Sequence, residues 1–328
     1  MTTRRQVLLV FGAAALAASH AAEAQQAAKV WRVGFLMRGA RPTDGRVPAA
    51  LRNGLAELGY VEGKNVVYEG RWAEAKQDKL AELAVELVRL RVDAIVVRGG
   101  PASSVAKDAT STIPIVIAGA GDPVKTGLVA SLARPGGNIT GTSAQDTELS
   151  AKRLEILKEA VPKAARIAVL WNAGDRGMTL RYQEIDRAAR VLRLTVQALG
   201  VGEPDDFDVA FSAMARERPD ALFMVTDALT NLNRKRVIDF AAAHRIPAMY
   251  EFDHLVRDGG LMAYGPSVDE IYRRVAVYVD RIFKGAKPAE LPVEQLNKFY
   301  LLINLKTARS LGLAIPQSLL LRADEVIE

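Results

Sequence analysis

The stretch Val92–Pro123, VDAIVVRGGPASSVAKDATSTIPIVIAGAGDP, decides how the rest of the chain is read. Two short runs rich in Val and Ile, Ala94–Val97 and Ile113–Ala118, have the length and composition of strands buried on both faces of a parallel sheet. Each ends in a glycine turn, Gly99-Gly100-Pro101 after the first and Gly119-Ala120-Gly121-Asp122-Pro123 after the second. Ser103–Ala109, between them, has helical spacing. Strand, turn, helix and strand make one βαβ unit. In open α/β sheets the loops at the carboxyl ends of such strands line the ligand crevice. Pro101 suits the first helical position, so the N–H groups of Ala102, Ser103 and Ser104 lack intrahelical partners and favour an anionic group.

Working outward, the same alternation continues on both sides. Upstream, strands at Trp31–Met37 and Asn65–Glu69 are each followed by an amphipathic helix, Val47–Leu58 and Asp78–Leu90. Downstream, a helix is expected over Val124–Ala133 and a fifth strand near Asn138–Thr142. The pattern then restarts. Arg32-Val33-Gly34-Phe35-Leu36 matches Arg166-Ile167-Ala168-Val169-Leu170, Asp93-Ala94-Ile95-Val96-Val97 matches Asp220-Ala221-Leu222-Phe223-Met224, and Ile113-Pro114 matches Ile246-Pro247. Two matching halves predict an α/β protein of two doubly wound parallel-sheet lobes whose turn loops face one cleft. The tail breaks the alternation with a helix at Val268–Phe283, a linker at Lys287–Leu291 and a strand at Phe299–Asn304. Such an order predicts several crossings between lobes, hence a multi-strand hinge suited to closure. The expected division is 29–142 plus 266–290 for the first lobe and 143–265 plus 291–328 for the second.

The totals fit this picture. A chain of 328 residues suits about two domains, and 49% hydrophobic with 25% charged residues is a globular composition. The net charge of +6 is spread along the chain, and no repeated base-stacking aromatics accompany the basic residues, so nucleic acid is not an expected partner. There is no cysteine, which excludes disulfides, a thiol nucleophile and thiolate metal sites. The paired arginines Arg4-Arg5, the apolar run Val7–Ala18 and the small-x-small pattern Ala22-Glu23-Ala24 read as a secretory signal over residues 1–24, with the general and the twin-arginine export routes both open. The expected location is therefore the periplasm.

Catalytic spacings are missing. There is no phosphate loop, H-E-x-x-H or G-x-S-x-G, and Val124 stands where the dinucleotide fingerprint needs its third glycine. His244 and His254 without cysteine make a poor metal site. No cofactor, metal or catalytic residue is expected. The candidates that remain are loop ends: Ala40, Gly99, Gly100, Ala102, Ser103 and Asp122 from the first half, and Asn172, Asp227, Glu251 and Tyr264 from the second. Together they offer donors for a carboxylate, carboxylates for an amine and an aromatic wall, the mixture expected of a site for a small zwitterion.

Longer strings carry a family likeness. They are Leu55-Ala56-Glu57-Leu58-Gly59-Tyr60-Val61-Glu62-Gly63-Lys64-Asn65, Gly121-Asp122-Pro123-Val124, and Gly127 through Gly141 (GLVASLARPGGNITG). Lys152-Arg153-Leu154-Glu155, Tyr264-Gly265-Pro266 and Ile303-Asn304-Leu305-Lys306-Thr307-Ala308 complete the set. Over residues 29–328 the chain resembles the substrate-binding proteins of ABC transporters, in the family that includes tryptophan- and tyrosine-binding members. The resemblance implies a type I periplasmic-binding fold, a small-molecule ligand closed between two lobes, no catalysis, and permease and ATPase partners at the membrane. A single-chain receptor is expected. A sensor subunit for a membrane signalling protein is an alternative of the same shape, and a periplasmic enzyme on this fold is another. Two turns depart from the family pattern: Arg98-Gly99-Gly100-Pro101 stands where a Thr-Gly-Gly-Thr-Pro-like turn is common, and Asn172-Ala173-Gly174-Asp175 where Asn-Pro-Ala-Asn is common. In the cleft Arg98 would favour a more acidic ligand; the expected place for it is the rim.

Overall fold

The computed structural model describes residues 29–144 and 146–328; the expected signal, residues 1–24, lies outside them. The first five strands are β1 (Trp31–Met37), β2 (Val66–Trp72), β3 (Ala94–Arg98), β4 (Ile115–Ala120) and β5 (Ile139–Ser143). The next five are β6 (Arg166–Asn172), β7 (Thr195–Val201), β8 (Ala221–Met224), β9 (Ala248–Tyr250) and β10 (Met262–Gly265). Three more follow in the tail: β11 (Glu294–Gln295), β12 (Tyr300–Asn304) and β13 (Glu325–Ile327). One sheet runs β11-β5-β4-β3-β1-β2 and the other β13-β12-β10-β9-β8-β6-β7. Read from β5 and from β10, the two share one strand order, and all pairs within those five-strand sets are parallel. The internal repeat of the sequence is thus a repeat of topology.

Helices cover both faces of each sheet, which is why the central strands carry near-continuous apolar runs. Every residue of Ala94–Val97 and Ile115–Ala118 is buried. The amphipathic helix Val268–Phe283 follows the second sheet in sequence but packs on the first. It buries Ile271, Tyr272, Val275, Ala276 and Val279 with Phe35, Leu51 and Leu55. Two glycines, one per lobe, permit close backbone approach. A Cβ on Gly141 (φ +128°) would run into the backbone of Ile117, and one on Gly265 into the carbonyl of Glu251.

The chain crosses between lobes three times: from β5 to the helix Asp146–Ala160, from β10 to the helix Val268–Phe283, and from β11 to β12. The last crossing falls later than the division at 291 expected from the sequence. Glu294 and Gln295 pair with Thr142 and Ser143 in the first sheet, and Val293 is buried in that lobe's core. β12 then joins the second sheet antiparallel to β10. The helix expected over Val124–Ala133 is a set of turns instead. Gly127 at φ +77° stops helical propagation, and Leu128 N–H turns back to the Pro123 carbonyl at 2.8 Å. Between β8 and β9 the chain forms two short helices, Ala228–Leu232 and Arg234–Ala243, joined at Asn233.

Candidate functional site

Because both sheets are parallel, their strand-to-helix turns gather at the carboxyl ends, and the two sets face each other across a cavity of about 970 Å³. The first lobe supplies Met37–Ala40 after β1, Trp72 at the end of β2, Arg98–Pro101 after β3 and Gly119–Asp122 around the end of β4. The second supplies Gly174–Met178 after β6, Thr226–Ala228 after β8 and Phe252–His254 after β9. Phe35, Trp72, Phe252 and Tyr272 give the wall its aromatic part. Among the described residues no group of three His, Cys, Asp or Glu is placed to hold a metal ion, and no helix is long and apolar enough to cross a membrane.

The lobes touch across the cavity. Arg38 Nη1 lies 3.9 Å from Asp227 Oδ2, and the Arg98 guanidinium sits 5.4 Å from the ring centre of Phe252 in the opposite lobe. These contacts describe a closed arrangement.

Of the residues singled out in the sequence, Ala40, Gly99, Gly100, Asp122 and Asp227 line the cavity. Ala102 and Ser103 do not: both are fully buried one turn into the helix Gly100–Ala109, and Ser103 Oγ donates to the Gly99 carbonyl at 2.8 Å. Pro101 and Ser104 face the cavity in their place. Asn172 is buried behind Asp227, and its Nδ2 donates to Asp227 Oδ2 at 2.7 Å. Asp227 Oδ1 accepts from Thr230 N–H as a helix cap, so its carboxylate is held at both oxygens. Glu251 is wholly buried under the wall. It accepts from Arg153 Nη1 (3.1 Å), Arg181 Nη1 (2.8 Å) and Thr226 N–H (2.9 Å). Tyr264 packs against Phe299 away from the cavity, and its carbonyl accepts from Arg153 Nε at 2.6 Å. Glu251 and Tyr264 are therefore supports rather than wall. Strand alternation and buried ion pairing decide this, and neither is visible in a loop-end reading.

Arg98 is not on the rim. Its guanidinium is tucked between Phe252 and Tyr272, 5.6 Å from the latter's ring centre, and lines the cavity. Sequence reasoning also passed over Asp175 and Arg181. Asp175 Oδ1 accepts from the Gly177 and Met178 N–H groups at the start of the helix Arg176–Val191. Burial, and then the charge of Asp227, push its carboxyl above the ordinary carboxylate range. Its place three residues after Asn172, before a helix, is a cap signature that was available in the sequence. His254 is driven below the ordinary histidine range, first by burial and further by the Arg98 and Arg234 charges, with Asp253 and Asp258 acting the other way. Its Nε2 lies 2.7 Å from Asn231 Oδ1. Burial pushes the Tyr272 phenol upward, and Arg98 opposes that shift.

Two walls of polar loop ends closing over one solute-sized space define a periplasmic-binding type of fold, and the chain belongs to the ABC transporter substrate binding protein family, which it matches over residues 45–327. A tyrosine-binding protein of Clostridioides difficile (strain R20291) is 27% identical over 259 residues, 79% of this chain and 74% of that protein. Among solved structures, a conserved domain protein from Vibrio cholerae (TM-score 0.85) and an ABC domain in complex with L-Trp from Streptococcus pneumoniae (TM-score 0.84) are each 26% identical. Each covers 91% of this chain and 100% of its own. A ligand-free, open substrate binding protein with adhesive properties from Clostridium difficile shares the fold at a TM-score of 0.65, with 23% identity over 91% of this chain and 99% of its own.

Proposed function

We propose that this protein is the solute receptor of an ABC importer, working outside the cytoplasm as a single chain. It takes an amino-acid-like molecule with an aromatic body into the interlobe cavity and presents the closed form to the permease and ATPase, without altering the solute. The observation that carries this reading is the cavity itself, where charged groups of both signs and four aromatic rings converge from two lobes. The printed ligands of two similar proteins, tyrosine and L-Trp, support the aromatic amino-acid class. Ala40, Gly99, Gly100, Asp122 and Asp227 are the contact residues we assign from the sequence reading, joined by Arg98, Asp175, Arg181 and Thr226. Binding energy comes from desolvating the rings on closure and from pairing charges already fixed in place.

The test is a thermal-shift panel of amino acids on the purified protein, with native mass spectrometry of protein taken from its own periplasm. The expected result is a rise in melting temperature confined to one solute class and a matching mass carried through purification. A flat panel with no retained mass would sink the proposal.

A further inference from the structure

Two buried polar atoms of wall residues, one from each lobe, have no hydrogen-bond partner meeting ordinary geometry among the described residues: Arg98 Nη1 and Thr226 Oγ1. Native proteins leave few such atoms, because an unpaired buried donor forfeits the hydrogen bond it had in water. Both residues line the same cavity, although these two atoms themselves are closed off from it.

The charges around them sharpen the point. Four of the five acidic residues of the wall have cations or amides of their own; the fifth, Asp269, has no ion pair among the described residues. Asp122 has Lys125 at 3.1 Å, and Asp253 has Arg257 at 3.5 Å. Asp227 has Asn172 and the more distant Arg38, and Asp175 has two helix amides. Arg98 forms no ion pair with any described residue. It keeps two rings instead, Phe252 and Tyr272, which hold the guanidinium plane; the Tyr272 phenol hydrogen-bonds to it without supplying a counter-charge. A planar fork fixed in this way matches a carboxylate better than any neutral group.

We propose that Arg98 is the specificity residue for an acid group of the solute, so that the receptor takes small organic carboxylates and rejects their amide and decarboxylated counterparts. The carboxylate accepts from the Arg98 guanidinium, and a second polar group of the same solute lies against Thr226 of the other lobe. Closure over an acid is then favoured, because it satisfies both walls at once. Closure over an amide or an amine leaves Arg98 buried and unpaired. This inference rests on reading the cavity as a solute site.

The experiment measures dissociation constants for the full chain with matched probes: L-tryptophan against L-tryptophanamide and tryptamine, L-tyrosine against tyramine, and phenylpyruvate and benzoate against benzamide. Binding is expected among the acids alone. Arg98→Gln is expected to weaken the best acid by about 10- to 100-fold, the usual worth of a hydrogen bond to a charged group. Arg98→Lys, which keeps the charge without the fork, is expected to fall between. The ligand-free melting temperature of Arg98→Gln is measured alongside, because the substitution also removes the contacts of the guanidinium with Phe252 and Tyr272. An amide or amine that binds as tightly as its acid overturns the inference, and so does Arg98→Gln with unchanged affinity for the acid. If Arg98→Gln does not fold, the acid-to-amide ratio of the parent chain still decides. Silence of the parent chain toward every probe, charged or neutral, counts against the receptor reading and takes this inference with it.

Discussion

On one side of the cavity Glu251 accepts from Arg153, Arg181 and the Thr226 amide; on the other, Arg98 Nη1 has no hydrogen-bond partner among the described residues. The second lobe's wall is backed by a polar network that is largely complete before any solute arrives. Asn172 secures Asp227, Asp227 caps the next helix, and Arg153 ties the network to the carbonyl of Tyr264 at the end of β10. The first lobe's wall is mostly glycine turns and aromatic rings around an unspent cation. The lesson is a division of labour: the second lobe's buried arginines have their counter-charge in Glu251, whereas the first lobe presents a cation without an ion pair among the described residues.

Three substitutions break or sharpen this contrast. The largest effect is expected from Glu251→Gln, which leaves two buried guanidiniums around a neutral amide. A loss of about 3 kcal/mol is expected, read as a drop of roughly 5–10 °C in the melting transition. A change under 1 °C would show that the second wall does not depend on this carboxylate. Next comes Asn172→Ala, which removes the donor behind Asp227. A loss of about 1 kcal/mol is expected in stability without ligand, with weaker solute binding in the same calorimetric titration. Unchanged values in both would mean that Asp227 is held by its helix cap alone.

The smallest effect, of opposite sign, belongs to Asp175→Asn. The amide oxygen can keep both helix N–H groups while the buried negative charge beside Asp227 disappears. The folded-state pKa of Asp175 lies above its unfolded value, so the folded chain holds this proton more firmly. Its stabilising effect is complete below the unfolded value and is lost as pH rises through the raised one. Asp175→Asn should therefore melt higher than the parent at neutral pH, by about 1 kcal/mol or less. The gap should close as the solution is made acidic. A gap that widens toward acid would reverse the sign assigned here.

Much of the architecture was legible because parallel sheets write themselves as short apolar runs ending in glycine. Val268–Phe283 falls where the periodicity places it. The duplication was legible for the same reason. Val124–Ala133 was not: its composition is helical, and a single glycine at positive φ overrides it. β11 is two residues long, too short to leave a periodic trace, so the final crossing was set too early. In the cavity wall, loop ends are legible as loop ends, but the facing of a side chain is not. Glu251 ends a strand as a site residue would, yet two arginines from distant helices claim it below the surface. Arg98 looked like a rim cation because an arginine is rarely buried unpaired. Only the folded chain shows the two rings that hold it.

The three crossings have a practical consequence for anyone who wishes to cut the molecule apart. The first sheet needs β1–β5 and β11, and its core needs the helix Val268–Phe283, so its material comes from two separate stretches of polypeptide, one before the first crossing and one between the second and the third. The second sheet likewise needs β6–β10 and then β12 and β13. No continuous fragment contains either lobe whole. A protease that nicks one crossing leaves two peptide links in place, so the halves should still travel together until the chain is denatured.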